Sequence, residues 1–299
     1  MSWRGLHFSS PARLRLKHFA LNVERKDAQE ESFALEDINW LILESPQVTI
    51  TSALLAACAA NGCLIVTCDE THMPNGMLLP WNSHYRQHTI LSAQLNLTEP
   101  RKKNIWREII QRKIRNQAGC LRRIGCDAAT ANAVALLERR VKSGDADNTE
   151  ALAARLHWAA YALDFKRDVD GEDRLNALLN YAYALVRAAI SRELAVLGFL
   201  PALGLHHKNQ LNAFNLADDL LEPWRPLADF FVHDIWRIEN VNKTFDVDDR
   251  RRVCGLLGSK VFLSNGHYDF LSAVSLYVGS VRDVFCGLSR VISFPDFSR

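Results

Sequence analysis

The sequence is organised around Gly204-Leu-His-His-Lys-Asn-Gln-Leu-Asn-Ala-Phe-Asn-Leu-Ala-Asp-Asp-Leu-Leu-Glu-Pro-Trp-Arg-Pro226. The glycine and two histidines at its start predict a loop that follows a helix ending at Gly198. The leucines that come next recur at helical spacing and predict a second helix. Pro223 lacks a backbone N–H, so this second helix must stop or kink just after Glu222.

Polar residues share one face of this predicted helix. Asn215, Asp219 and Glu222 are spaced i, i+4 and i+7, which places them on the same side. An imidazole lies close by in the sequence, although spacing alone does not distinguish His206 from His207. Carboxylates with one imidazole suit a hard divalent cation such as Mg²⁺ or Mn²⁺ better than they suit structural zinc.

Composition is that of an ordinary soluble protein. The chain has 299 residues, of which 48% are apolar and 23% charged, and this length favours two domains. No apolar run is long enough to cross a bilayer, and the N-terminus lacks a signal-peptide core, so we expect a cytoplasmic protein without a membrane partner. None of the 7 cysteines forms a C-x-x-C pair, which predicts reduced thiols rather than a zinc site or disulfides.

Apolar patterning predicts an α+β fold: a small β-rich N-terminal domain, residues 1–80, and a larger all-α domain, residues 101–299. Residues 15–23 and 63–68 have the patterns of strands, a short helix follows Thr51, and residues 74–76 predict a turn. Residues 81–100 predict a linker with a helix around 89–97. Residues 292–297 predict an extended tail that docks on a partner or on the chain's own body.

The helix expected after Pro100 has a strongly basic composition. Nine lysine and arginine residues stand against Glu108 alone between Arg101 and Arg123, a local charge of 9 − 1 = +8 in a chain of net charge +2. We call Arg101–Arg123 the basic segment. Such a segment predicts phosphate contact, with Arg112 and Arg115 as candidates. The alternative is a solvated face that acids from elsewhere in the fold neutralise.

Glu150 falls in the first turn of another predicted helix, which either Asn148 or Thr149 would cap. An acid at this position stabilises the helix dipole, and most such glutamates have no other role. Its sequence position alone therefore does not identify it as a ligand.

Several motifs together closely resemble one family, the CRISPR-adaptation integrase, which is the nuclease of spacer acquisition. They look most like its type II branch. The resemblance spans the whole chain and rests on residues 37–44 with Thr51-Ser52, Glu150 with Ala154-Arg155, and residues 175–185, 204–210 and 218–226.

This resemblance implies a β-rich dimerisation domain and a helical catalytic domain. It implies Glu150, His207 and Glu222 as catalytic metal ligands for Mg²⁺ or Mn²⁺, with Asp219 as a secondary ligand or a supporting group. The last ligand is glutamate here, where other branches have aspartate.

Other polar residues near the motif have predicted supporting roles. Asp219 or Asn212 is expected to orient His207. Lys208 and Arg225 flank the ligands and are candidate nucleic-acid contacts, although simple surface charge explains them equally well.

The activity that the resemblance implies is insertion of short DNA duplexes into a repeat array. The 3′-hydroxyl of the incoming prespacer attacks a phosphodiester at the repeat boundary. The implied partners are double-stranded DNA, a second copy of the chain, and a small ferredoxin-like companion protein that completes a heterohexamer. Two alternatives remain: a stand-alone metal-dependent nuclease on branched DNA or RNA, and a non-catalytic DNA-binding scaffold.

Overall fold

The computed structural model describes residues 4–79, 87–171, 173–238, 243–263 and 266–297. The predicted domain boundary at residue 80 and residues 81–86 of the predicted linker lie outside these ranges.

The N-terminal part forms two four-stranded sheets around one helix, α1 (Ser52–Ala60). Thr51 caps this helix as predicted, since its side chain accepts the Leu54 N–H. The strands are β1 (Arg4–Phe8), β2 (Ala12–Lys17), β3 (Ala20–Glu24), β4 (Glu31–Ala34), β5 (Ile38–Leu43), β6 (Val48–Ile50), β7 (Leu64–Cys68) and β8 (Pro74–Met77).

The first sheet has the order β1-β5-β7-β8, and β7 lies between parallel β5 and antiparallel β8. Its central position explains why residues 63–68, predicted as a strand, are almost continuously apolar. The second sheet has the order β4-β3-β2-β6, with β2 antiparallel to β3 and parallel to β6. Leu14, Leu21, Leu41, Leu54 and Ile65 form the core between the two sheets and α1.

Two local predictions for this part are wrong. Residues 15–23 form a hairpin, not one strand, because the chain reverses at His18 and Phe19, whose φ angles are 50° and 59°. A two-residue hairpin turn with both φ positive usually contains Asn or Gly, so these residues give no turn signal. The turn predicted at residues 74–76 is instead part of β8, an edge strand, where a proline is tolerated.

The remaining described chain is mostly helical, so the predicted fold class is confirmed. It also contains an antiparallel pair, β9 (Lys260–Leu263) and β10 (Gly266–Asp269), which the all-α prediction missed because both strands are short. Its helices are α2 (Gln87–Leu95), α3 (Glu99–Arg123), α4 (Ala128–Leu137), α5 (Thr149–Tyr161), α6 (Arg174–Val196), α7 (Asn215–Leu221), α8 (Arg225–Ile238), α9 (Val247–Cys254) and α10 (Phe270–Phe285).

The helices share one large core with the outer face of the first sheet. Ile105, Ile109 and Ile114 of α3 are buried in it, and Trp40 of β5 reaches the same core. The helix expected in the linker is α2. It packs onto the helical part, where Gln94 Nε2 donates to the carbonyl oxygens of residues 200 and 203, each at 2.9 Å.

The C-terminal tail docks on the chain's own body, one of the two predicted alternatives. Phe294 and Phe297 are buried, and the Phe297 N–H donates to Asn116 Oδ1 of α3 at 3.0 Å. Pro295 forms a bridge with Leu263 of β9. All seven cysteines are free thiols in the structure. Within the ranges given above, none of the helices is both long and apolar enough to span a bilayer.

Candidate metal centre

The helix that contains the acidic face ends where the proline predicts. α7 stops at Leu221, residues Glu222–Trp224 form a 3₁₀ turn, and α8 begins at Arg225. Trp224 is fully buried, and Asn116 Nδ2 donates to the Pro223 carbonyl at 2.8 Å. The turn is therefore fixed from both sides, and it holds Glu222 in a buried position, 4% exposed.

Asp219, one turn before Glu222, is fully buried and shapes the loop that contains the two histidines. Its Oδ2 accepts the backbone N–H groups of Leu205 at 2.5 Å and His206 at 3.1 Å. Its Oδ1 accepts the His207 N–H at 3.1 Å and contacts His207 Nδ1 at 2.7 Å. Gly204 is required here because a Cβ would lie 2.4 Å from the His207 carbonyl oxygen.

The two histidines have different surroundings. His206 stacks on Trp106 with the ring centroids 4.3 Å apart. His207 has its Nδ1 engaged by Asp219, so Nε2 is the nitrogen left to bind a ligand. Of the two predicted partners of His207, the structure shows Asp219, whereas Asn212 donates to Asp218.

The hydrogen bond with Asp219 raises the pKa of His207 above its usual value, against the opposing effect of burial. The negative charge of Glu222 also contributes to this increase in the pKa of His207. A histidine must be neutral to bind a metal ion, so cation binding at His207 competes with its proton.

Glu150 lies in the first turn of α5, as predicted, but neither predicted residue caps the helix with its side chain. Asn148 has a left-handed backbone and makes no capping hydrogen bond. Asp145 caps the helix instead, because its carboxylate accepts the N–H groups of Thr149 at 2.9 Å and Glu150 at 3.0 Å. Asp145 reaches these groups because it ends the 3₁₀ turn just before α5.

A lysine brings the two glutamates together. Lys113 of α3 donates from Nζ to Glu150 Oε1 at 2.5 Å and also to Glu222 Oε2. In the sequence, Lys113 is distinguished only as a member of the basic segment. Lys113 follows Ile109 by four residues and Ile110 by three. This spacing puts it on the buried face of the helix, so its burial could have been predicted.

Positive groups on two sides neutralise the Glu222 carboxylate. Arg225 Nε donates to Glu222 Oε1 at 2.9 Å, and the guanidinium lies over the Tyr183 ring at 4.5 Å. Burial opposes ionisation of Glu222, but Arg225 and Lys113 outweigh it and lower the pKa of this carboxyl. Burial likewise disfavours the Lys113 ammonium, but Glu222 and Glu150 raise the pKa of this lysine. Glu222, Lys113 and Arg225 are therefore all charged at neutral pH.

A cavity of about 250 Å³ opens beside these groups, and its walls include Lys113, Glu150, Glu222, Arg225, Arg167 and Trp158. Arg167 is a wall residue that the sequence analysis missed. Its Nη1 donates to Asn176 Oδ1 at 2.8 Å and its Nη2 to Asn180 Oδ1 at 2.5 Å. Both asparagines, and Tyr183 beneath Arg225, belong to the motif at residues 175–185, which could have marked this site.

The basic segment is partly neutralised within the protein. Arg112 pairs with Asp296 of the tail at 3.2 Å, and Arg115 Nε donates to Glu138 at 3.0 Å. Lys208 is exposed and lies 3.9 Å from Glu99. Arg225 is partly buried, with 29% of its side chain exposed, and it lines the cavity beside Glu222.

The candidate ligands fit a hard divalent cation by their chemistry. Two carboxylates already share one cationic partner, the Lys113 ammonium, whereas the His207 imidazole, oriented by Asp219, lines a different cavity together with Leu205 and Lys208. As arranged, however, no three His, Cys, Asp or Glu side chains among the described residues form a group that could hold a metal ion. The ammonium lies between the two carboxylates.

Comparisons with known proteins point to one family. Residues 6–264 match the family model described as CRISPR associated protein Cas1. The CRISPR-associated endonuclease Cas1 of Neisseria meningitidis serogroup C (strain 8013) is 38% identical over 283 residues, which cover 94% of this chain and 92% of that protein.

Two solved structures share the fold. A casposase bound to its integration product has a TM-score of 0.76 at 18% identity, covering 99% of this chain and 92% of that one. A Cas6-RT-Cas1–Cas2 complex has a TM-score of 0.71 at 16% identity, covering 96% of this chain and 35% of that one.

Proposed function

The chain belongs to the CRISPR-associated Cas1 family, and from this membership we propose that it is a spacer-acquisition integrase of the type II-like branch. In this proposal it is a metal-dependent DNA endonuclease and strand transferase that acts in the cytoplasm. It joins prespacer 3′-hydroxyl ends to phosphodiesters at the repeat boundaries. The observation that supports it best is the meeting of Glu150 and Glu222 around one cationic group beside a cavity lined by arginines.

Glu150, His207 and Glu222 would hold magnesium or manganese in this proposal. Such an ion supplies Lewis acidity to a phosphodiester and lowers the pKa of an attacking hydroxyl. Asp219 keeps Nδ1 of His207 occupied and so presents Nε2. Arg225, fixed by Glu222 and Tyr183, and Arg167, fixed by two asparagines, offer positive charge to a phosphate entering the cavity.

The test is a strand-joining assay with a duplex that has free 3′-hydroxyl ends, a repeat-containing DNA, and magnesium or manganese. Glu150→Gln and Glu222→Gln should each reduce joining by about 100-fold or more, since each removes a charged ligand. Glu99→Gln is the matched control, because Glu99 is also a first-turn glutamate but lies exposed on α3. It should keep wild-type joining.

The same assay separates the alternatives. Wild-type joining by both variants would contradict the proposed site. Cut ends without joined strands would favour the hydrolytic nuclease, which uses water in place of the 3′-hydroxyl. For the scaffold, a calorimetric titration with manganese should show no binding that depends on His207, so loss of a binding event in His207→Ala would exclude it.

We also propose double-stranded DNA, a second copy of the chain and a small ferredoxin-like CRISPR-associated protein as partners in a heterohexamer. One of the solved structures that share the fold is a complex of Cas1 with Cas2. The N-terminal sheets offer edge strands for pairing, among them β4 and β6. Light scattering should give the mass of a dimer for the chain alone and a larger assembly with the companion protein. A monomer at micromolar concentration would contradict the dimer.

A further inference from the structure

The Lys113 ammonium has the position that a cation shared by Glu150 and Glu222 would take. Its side chain is 9% exposed, and both of its partners are carboxylates of the candidate centre. Arg225 contacts Glu222 from the other side at 2.9 Å. Two carboxylates and two cationic groups therefore form a set without net charge.

We propose that Lys113 is a built-in counter-cation that competes with a divalent metal ion for Glu150 and Glu222. The metal binds only when the ammonium leaves the position between the two carboxylates. This inference rests on the proposed function in taking these glutamates as metal ligands. It adds that the protein limits its own metal affinity.

Electrostatics supports the competition. Two carboxylates brought together without a cation, Glu222 buried and Glu150 27% exposed, would repel each other, so the lysine stabilises the metal-free protein. A divalent ion added while the ammonium stays would leave two positive groups at close range in a buried site. Either the Lys113 ammonium or the metal ion can neutralise the two carboxylates, but both together would leave an excess of positive charge.

The cavity beside Lys113 could accommodate the displaced ammonium. Lys113 has a flexible four-carbon stem and lines the cavity of about 250 Å³ together with Gln117 and Arg167. A phosphate in that cavity would be a new partner for the ammonium. Metal and phosphate should therefore favour each other's binding, and this coupling must be reciprocal.

Calorimetric titration with manganese, in the absence of DNA, tests the inference. Lys113→Gln keeps much of the side-chain length and removes the charge, so it should bind manganese at least about tenfold more tightly than the wild type. Its metal-free melting temperature should be lower, and manganese should raise it further than in the wild type. Lys113→Arg, which keeps the charge, should bind no more tightly than the wild type.

Lys103→Gln is the matched control, since Lys103 is an exposed lysine on the same helix. It should keep the wild-type manganese affinity. Equal or weaker manganese binding by Lys113→Gln, or tighter binding by Lys113→Arg, would overturn the inference. So would the absence of binding in both the wild type and Lys113→Gln, because removal of the competing charge should uncover the site.

A second measurement needs only the wild type. Labelling with an amine-reactive reagent, read by mass spectrometry, should modify Lys113 more in the presence of manganese than in its absence, with Lys103 as internal reference. Unchanged labelling of Lys113 at saturating manganese would overturn the inference.

The inference and the proposed function fail separately. If Lys113→Gln binds manganese more tightly but the wild type joins no strands, the inference holds and the function does not. If the wild type joins strands but Lys113→Gln gains no affinity, the function holds and the inference does not.

Discussion

One buried carboxylate determines how the candidate histidine is presented. The two carboxylate oxygens of Asp219 accept hydrogen bonds from three backbone N–H groups and contact Nδ1 of the His207 ring. A carboxylate can accept all of these bonds, because it offers only acceptor positions. The neighbouring Asp218 instead pairs with Arg187 at 2.6 Å on a partly exposed face.

Asp219→Asn should lower the free energy of unfolding by about 2–4 kcal/mol, because an amide offers one acceptor oxygen and turns its NH₂ toward other donors. Strand joining should fall by about 10–100-fold as His207 loses its orientation. Urea unfolding and the joining assay measure these effects. Asp218→Asn, the matched control, should cost at most about 1 kcal/mol. Equal losses in the two variants would contradict the assigned role.

At the scale of secondary structure, the turn between β2 and β3 is built from residues that do not favour it. Phe19 has φ 59° and its side chain is 90% exposed, so the left-handed backbone is not compensated by packing. Glycine adopts this conformation without steric cost.

Phe19→Gly should therefore raise the free energy of unfolding by about 0.5–1 kcal/mol, since relief of backbone strain exceeds the entropic cost of a glycine. Ala20→Gly, one residue later in β3, should lower it by about 0.5–1 kcal/mol, because that position has ordinary strand geometry. Thermal unfolding of both variants measures the difference. The same sign for both would show that the turn is not strained.

Asn116 joins three elements: α3, the 3₁₀ turn after α7, and the C-terminal tail. Its Nδ2 donates to Pro223 O at 2.8 Å and to Pro295 O at 3.0 Å, and its Oδ1 accepts the Phe297 N–H. The turn that holds Glu222 is thus connected to the tail through one side chain.

Asn116→Asp keeps the shape of the side chain but turns an acceptor toward two carbonyl oxygens. It should lower the free energy of unfolding by about 3 kcal/mol or more, because the new carboxylate is buried with one oxygen facing two carbonyls, and of the present partners only the Phe297 N–H can still donate to it. It should also increase proteolysis of the tail. Asn104→Asp, an exposed asparagine of the same helix, should change stability by less than about 0.5 kcal/mol. A stable Asn116→Asp protein with a protected tail would contradict this connection.

At the scale of the whole molecule, a buried carboxylate links the N-terminal sheets to the helices. Glu44 follows β5, and its oxygens contact His7 of β1 at 2.5 Å and Arg250 of α9 at 2.7 Å, with His72 at 3.3 Å. Burial opposes ionisation of Glu44, but the hydrogen bonds from His7 and Arg250 outweigh it and lower the pKa to about 2.

This carboxyl should make stability depend on pH in the acidic range. Its pKa is lower in the folded than in the unfolded protein, so its contribution is complete above about pH 5 and is lost as the pH falls toward 2. Glu44→Gln should therefore cost on the order of 3 kcal/mol at pH 7, and the difference from the wild type should shrink in acid.

Urea unfolding at a series of pH values measures this effect. The exposed Glu36 provides the control, since Glu36→Gln should stay parallel to the wild type throughout. A Glu44→Gln deficit that did not change between pH 7 and pH 3 would show that the charge is not the source of the stability.

By itself, the sequence determined the features that depend on near neighbours along the chain. Pro223 ends α7 because a missing N–H acts within one turn, and the isoleucines of α3 define a buried face because helical periodicity is local. The spacing of three residues between Asp219 and Glu222 also placed both carboxylates on one side of the predicted helix.

Only the tertiary structure decided which charges meet. Lys113 is 37 residues from Glu150 and 109 from Glu222, and no periodic pattern relates such positions. The basic segment looked uniform in sequence, but the fold buries Lys113 between two carboxylates, pairs Arg112 with the tail and leaves Lys103 exposed. Charge pairing follows distance in space, and packing of distant elements sets that distance.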